Sequence, residues 1–302
     1  MFNFSIDLYS YVLLIENKSK KVRIISNNLG IQTIISDYDS IVYNGTLDLI
    51  KAGIKRLEIR NGVDIHIKTE APPGSGMGTS ASVAVALLGA LAKYADLNFS
   101  PKEIAKLAHE LEVKELQLES GVQDQYTAAY GGINYLEIDY PSVKAEQIQI
   151  DEGRLLELEK QLIILYVGPR NSNAMHKLVI ENYTKGDPIT LNSLDIMKKC
   201  AKKMKYAINS NIKDIGEIMN QNWSAQKSLN PLMTNSLIEK AENIAFKQKA
   251  LGFKCNGAGG GGSITILSSI KNEYDLRQKF LENNFNLLPC KLCFHGVKSV
   301  EI

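Results

Sequence analysis

The sequence predicts an α+β fold in two parts, residues 1–155 and 156–302, in each of which strands lead and helices follow. Three observations carry that prediction. Short segments rich in β-branched and aromatic residues crowd the first 70 positions. From Thr79 onward, apolar residues take over nearly every face of a long stretch, which suits a buried helix and not a strand. A second apolar strand signal, LIILYV at 162–167, is followed by four helical segments. A length of 302 residues also exceeds that of one ordinary domain.

The elements follow in order. NFSIDLYSYVLLIE (3–16) alternates and then runs apolar, which is strand chemistry, and KVRIIS and IQTIIS are two more short strands. Val42, Leu47, Leu49, Ile50, Ile54 and Leu57 recur at helical spacing, so 39–57 is expected to be a helix. VDIHIKT (63–69) alternates as a strand, and the loop EAPPGSGMGTSAS comes next. A buried helix is expected over Thr79–Leu97. Ser100, Pro101 and Glu103 supply the N-cap, first-position proline and acidic first turn of another. GGINYLEI and QIQI read as strands. After LIILYV, helices are expected at 174–184, 189–209, 212–229 and 235–250. The glycine run NGAGGGG, a strand SITILSS, a helix near 271–284 and a strand near 287–294 complete the chain.

Composition excludes whole classes of function. With 44% hydrophobic and 23% charged residues the chain is neither collagen-like nor disordered nor a coiled coil. Its 35 basic against 33 acidic residues leave a formal charge of +2, which gives no hint of a nucleic-acid partner. No apolar run reaches the roughly 18 residues of a membrane span. The start, MFNFSIDLYS, carries an acid and no base, so no signal peptide is expected. Four cysteines make no disulfide scaffold, so a cytoplasmic protein with reduced thiols is expected.

The loop Pro72-Pro73-Gly74-Ser75-Gly76-Met77-Gly78-Thr79-Ser80 opens the buried helix. Glycines let backbone N–H groups approach a ligand, and the helix start attracts anions. Thr79 and Ser80 add hydroxyls for phosphate or magnesium. The loop therefore reads as a phosphate cradle; the other reading is a glycine turn capped by Thr or Ser. It is no Walker loop, for no lysine follows the glycines. Gly76-x-Gly78-x-x-Ala81 matches a dinucleotide fingerprint in form only, since the next element is a helix where a strand is required.

Asp124, in ESGVQDQY, is either a proton acceptor for a substrate hydroxyl or the N-cap of a helix over 125–130. Glu112, judged by residue type alone, belongs to a solvated helix face. Gly257 and Gly259 to Gly262 suggest either close approach of backbone to a ligand or to another backbone, or a tight connection between strands. Cys290 and Cys293 have a metal-like spacing but no second pair, and read as buried cysteines of a strand. The four histidines form no metal or triad motif.

PPGSGMGTSAS, SGVQDQYTAAYGG and NGAGGGG, in this order, resemble the GHMP kinases: galactokinase, homoserine kinase, mevalonate kinase and phosphomevalonate kinase. The first stretch resembles the family's second motif, P-x-x-x-G-L-G-S-S-A-A, with Met77, Thr79 and Ser82 as mild departures. The glycine run resembles its third. Within the family, QDQYTAAYGGIN, GAGGGG and NQNWSAQKSL (220–229) most resemble the D-glycero-D-manno-heptose phosphate kinases.

The resemblance implies a two-domain fold. It consists of an N-terminal domain like ribosomal protein S5 domain 2 and a ferredoxin-like C-terminal domain, with ATP and magnesium in the cleft between them. It implies an ATP-dependent sugar kinase acting on a phosphorylated heptose or similar sugar. The alternatives are a galactose, fucose or mevalonate type of kinase, or a nucleotide binder without turnover. By position, Asp124 matches the residue that acts on the acceptor hydroxyl, and Ser80 and Glu112 match the magnesium ligands. Pro73, Gly74, Ser75, Gly76, Met77, Gly78, Thr79 and Ser80, with Gly259 and Gly260, match ATP and phosphate contacts. Arg170 and Lys227 are candidates for the sugar phosphate. A first motif of the family, roughly R-I-S-x-x-G-G-G-T-D in the heptose kinases, is expected to be missing here, because NFSIDLYSYVLL resembles the strand that follows it. Partners implied are ATP, a sugar phosphate and at most a second copy of the chain, with neither nucleic acid nor membrane.

Overall fold

The computed structural model describes residues 1–170 and 173–302, with the backbone alone at 173 and 174. In chain order the elements begin with β1 (Phe2–Phe4), β2 (Ser10–Glu16), β3 (Val22–Ser26), β4 (Ile31–Ile35), α1 (Asp48–Arg56) and β5 (Val63–Thr69). Next come α2 (Thr79–Tyr94), α3 (Pro101–Glu110), α4 (Gln123–Tyr130), β6 (Ile133–Asp139), β7 (Ser142–Ile148) and α5 (Glu152–Gln161). The remainder are β8 (Leu162–Tyr166), α6 (Asn173–Thr184), α7 (Pro188–Ala207), α8 (Ile212–Leu229), α9 (Ser236–Lys247), β9 (Gly252–Cys255), β10 (Ser263–Leu267), α10 (Glu273–Glu282) and β11 (Asn286–Leu288).

Contacts divide the chain into two compact units. One holds Leu8–Ala71, Gly78–Gly132 and Cys293–Ile302; the other holds Met1–Asp7, Pro72–Met77 and Ile133–Leu292. These are not the halves expected on either side of residue 155. The reason lies in the β6–β7 hairpin and β1. Ile133 and Ile148 of the hairpin share a core with Met204 and Ala207 of α7 and Ile215 and Met219 of α8, and Phe2 and Phe4 pack against it. Burying those side chains ties the chain's first residues to the later helices.

In the smaller unit the sheet order is β2-β5-β3-β4. β5 runs antiparallel to β2 (Ser10 opposite Thr69) and parallel to β3 (Val22 opposite Val63). The alternation of VDIHIKT does what its period requires: Val63, Ile65 and Ile67 are buried, with Val22 and Ile24 beside them. This face packs on Ile50 and Ile54 of α1 and Leu87 and Leu91 of α2. Ala84, Val85 and Leu88 of α2 are also buried, which explains why that helix is apolar nearly all round. The terminal segment closes over it, with the Gly132 N–H on the Cys293 carbonyl (2.7 Å) and the Val297 N–H on that of Ala129 (3.1 Å).

In the larger unit a four-stranded sheet, β11-β8-β10-β9, is antiparallel throughout. One face buries Ile163, Leu165, Phe253, Cys255, Ile264 and Ile266 with Trp223, Ile238, Leu276 and Phe280. The other expected helices lie close to their predicted places.

Four elements depart from expectation. The strand expected over 3–16 is two, β1 in the larger unit and β2 in the smaller. The helix expected at 39–57 exists only as α1. Asp48 accepts from the backbone N–H groups of Asn44 and Gly45 (3.1 and 2.6 Å), and the buried Lys51 ammonium donates to Asn44 Oδ1 (2.6 Å), so 41–47 is held as a turn. Helix α5, unpredicted, is capped by Asp151, which accepts from the Arg154 N–H. The last strand stops at Leu288, before Pro289, which has no N–H to give. Cys290 and Cys293 therefore lie outside it, and all four cysteines are free. No helix among the described residues is long and apolar enough to cross a membrane.

Candidate functional site

The smaller unit gathers one group of the candidates around the start of α2. Gly78 precedes the helix in the left-handed region (φ 70°) and, as a glycine, supplies no side-chain cap of its own. A Cβ at Gly78 would lie 2.9 Å from both Cβ and Cγ of Asp124, so glycine is required by space as well as by conformation. Asp124 is not the cap expected as its structural alternative: α4 begins two residues earlier, Val122 occupies the N-cap, and Asp124 lies in the first turn. There its carboxylate is favoured by the helix dipole and stands beside the glycine that opens α2.

Glu112 is not on a solvated face. It is 5% exposed, and its carboxylate accepts from Ser80 Oγ (3.2 Å), Ser120 Oγ (2.5 Å) and Gln125 Nε2 (2.6 Å). The cause is a change of helical register. Residues Leu111–Glu115 form a π-helical turn, with the Leu116 N–H on the Leu111 carbonyl (3.0 Å), and the extra residue rotates Glu112 inward. Its neighbour Glu110 is half-buried and pairs with Arg56 and Lys114. Burial holds the nearby His109 imidazole below its ordinary range, against the opposing pull of Glu112 and Glu110. Ser120 and Gln125 were not picked out in the sequence. Both lie inside the recognisable SGVQDQ stretch, but only the fold shows that they serve Glu112.

Among the described residues no group of three or more His, Cys, Asp or Glu could hold a metal. Ser80 and Glu112 nevertheless fit a magnesium ion that takes its remaining ligands from phosphate and water. Their oxygens are hard donors held together. Glu112 is also a buried carboxylate whose hydrogen-bond partners are all neutral side chains, so a cation there would compensate its charge.

The larger unit holds the other group. Pro72–Met77 lie against the glycine run: the Gly262 Cα (φ 80°) passes so near Ser75 that a Cβ would stand 2.6 Å from its carbonyl oxygen. The close approach expected of the run is thus realised at Gly262 against another backbone. Gly260 is pinned from outside, its N–H on the Met233 carbonyl (2.7 Å) and its carbonyl on Asn235 Nδ2 (3.1 Å). Tyr166 Oη donates to the Pro73 carbonyl (3.1 Å), and the Arg170 N–H to that of Gly74 (3.3 Å). The Arg170 guanidinium lies between the two loops, Nη1 donating to the Asn256 carbonyl (3.3 Å) and the guanidinium carbon 3.1 Å from where a Cβ on Gly76 would be. Asn171 and Ser172, which follow Arg170 in the sequence, lie outside the described residues.

Lys227 stands apart from Arg170 in its contacts. Its ammonium pairs with both Glu242 oxygens (2.8 and 3.0 Å) and lies over the Trp223 ring. Its neighbour Gln226, unnoticed in the sequence, reaches the run, donating to the Gly257 carbonyl (2.9 Å).

The geometry has counterparts among known proteins. The family model for the N-terminal domain of GHMP kinases matches residues 42–132. A D-glycero-alpha-D-manno-heptose 7-phosphate kinase of Campylobacter jejuni is 26% identical over 311 residues, an alignment covering 99% of this chain and 90% of the relative. A mevalonate kinase of Methanothermobacter thermautotrophicus is 30% identical over 224 residues, covering 73% of this chain and 69% of that one. The crystal structure of a D-glycero-D-manno-heptose 1-phosphate kinase from Bacteriodes thetaiotaomicron superposes with a TM-score of 0.80 at 23% identity, covering 98% of this chain and 88% of that one.

Proposed function

The chain belongs to the GHMP kinase family, and from that premise we propose that it is an ATP-dependent sugar kinase whose acceptor is a phosphorylated heptose or a similar sugar. It is a phosphotransferase with an alcohol group as acceptor. The single observation that carries the choice of acceptor is the heptose 7-phosphate kinase relative, aligned over nearly the whole of both chains.

The residues divide the work in a way the physics supports. Phosphoryl transfer asks mainly for positioning and for neutralised charge. The glycine-rich backbone of 74–80 at the start of α2 is the candidate for contact with the phosphates; the Gly259 and Gly260 N–H groups already donate to the Asn256 and Met233 carbonyls, which leaves that loop a role in shape and not in donation. Arg170, between the two loops, adds a planar cation suited to phosphate. Ser80 and Glu112 would hold magnesium, which when bound neutralises phosphate charge. Asp124 takes the proton from the acceptor hydroxyl while that oxygen bonds the γ-phosphorus and the bridging bond to ADP breaks. Lys227 is the weaker candidate for the sugar phosphate, since Glu242 already compensates its charge.

The test is ADP release coupled to a reporter enzyme, with magnesium, ATP and a panel of heptose 7-phosphate, heptose 1-phosphate, galactose, fucose and mevalonate. Release that depends on a phosphorylated heptose supports the proposal. Release driven by mevalonate alone would keep the family and discard the acceptor.

A further inference from the structure

Lys254 is a lysine in the wrong kind of place. It lies on β9, among Gly252, Phe253 and Cys255, which are buried, and the acceptors of its ammonium among the described residues are uncharged. Its ammonium donates to Gln226 Oε1 (2.7 Å) and to the Cys255 carbonyl (3.3 Å). The titratable groups near it are the Cys255 thiol on its own strand and the Cys200 thiol on α7; Lys203 and Arg170 act on these thiols in turn. Burial pushes the lysine down to about 8. An apolar side chain would fill this position without that desolvation cost.

What the lysine does is visible one contact further on. Gln226 is 2% exposed, and its amide is engaged at both ends. The oxygen accepts from Lys254, and Nε2 donates to the Gly257 carbonyl (2.9 Å). An amide can turn over, exchanging its N and O ends. Lys254 can only donate and the Gly257 carbonyl can only accept, so each end of the amide is fixed by the other. Asn256, the residue before Gly257, offers its carbonyl to Arg170 Nη1, and a Cβ on Gly257 would collide with the same guanidinium.

We propose that Lys254 is a positioning residue of the phosphate site: through Gln226 it fixes the turn at 256–257, and with it the seat of the Arg170 guanidinium. The inference rests on the kinase reading above. Lys254 itself touches neither nucleotide nor sugar; it acts on the turn that seats Arg170.

The experiment is calorimetric titration of the full chain with magnesium and ATP, alongside thermal melts. The variants are Lys254→Met, Gln226→Met and the pair together, all apolar and of similar length. Each single variant is expected to lose about tenfold in ATP affinity. The double variant is expected to lose about the same tenfold, because the second change acts on a link already broken. Unchanged affinity in the single variants, with or without a lower melting temperature, would make the relay a packing feature and overturn the inference. Losses that multiply to about a hundredfold in the pair would overturn it also. Absence of ATP binding by the wild type would instead overturn the kinase reading beneath it.

Discussion

A methyl group added at Gly78 would meet Asp124, and this one contact joins two residues that the sequence could only treat separately. Gly78→Val should therefore fail twice, through its left-handed φ and by displacing the carboxylate. ATP affinity measured by calorimetry should fall below detection while the fold persists, because the glycine sits at a helix start and not in the core. Wild-type affinity in that variant would remove the loop from the site. Of the individual residues, Gly74 to Ser80 and Asp124 could be proposed from the sequence because their types are rare in that order. The inward turn of Glu112 was not, since it lies among Glu110, Lys114 and Glu115 and shares their composition. Ser120, Gln125, Gln226 and Lys254 were invisible for a simpler reason: an ordinary polar residue becomes informative only when its partner is known.

At the scale of elements, period and capping predicted most of what forms. The capping box at Ser100 and Glu103 is present, with the Ser100 N–H on Glu103 Oε2 (2.8 Å), and α2 is buried as its apolar surface requires. The misses have local causes, as at 41–47, where Asp48 and Lys51 hold a turn against a helical pattern of apolar residues. The π-helical turn after α3 could not be read either, because one extra residue per turn leaves no mark on composition. That turn bears on the magnesium site proposed above. Glu112→Gln keeps size but replaces one carboxylate oxygen, so a hydroxyl or amide donor loses its acceptor at a cost of about 1–3 kcal/mol. The magnesium concentration needed for half-maximal ATP binding should rise at least about tenfold. A magnesium titration indistinguishable from wild type would leave Glu112 as the anchor of Ser120 and Gln125 only.

At the scale of the whole molecule, the sequence predicted two parts of mixed helix and sheet, and the packing divides the chain along other lines. The chain passes from one compact unit to the other after Asp7, Ala71, Met77, Gly132 and Leu292. Such crossings depend on pairings like Phe2 with Tyr135 and Ile6 with Leu292, which no local pattern encodes. The motifs nonetheless named the family, since the chemistry of phosphate loops survives in short stretches even where topology is hidden. The central claim is that this chain moves a phosphoryl group onto a sugar hydroxyl with Asp124 taking the proton. It is tested most directly by sugar-dependent ADP release from wild type and Asp124→Asn, on protein shown by melting to be folded and by calorimetry to bind ATP. The substitution keeps the side chain's size and removes its ability to accept the proton. Loss of a general base costs about 10²–10⁴ in rate. The account predicts that kcat falls at least about a hundredfold with ATP affinity near wild type. Near-normal turnover in Asp124→Asn would contradict it.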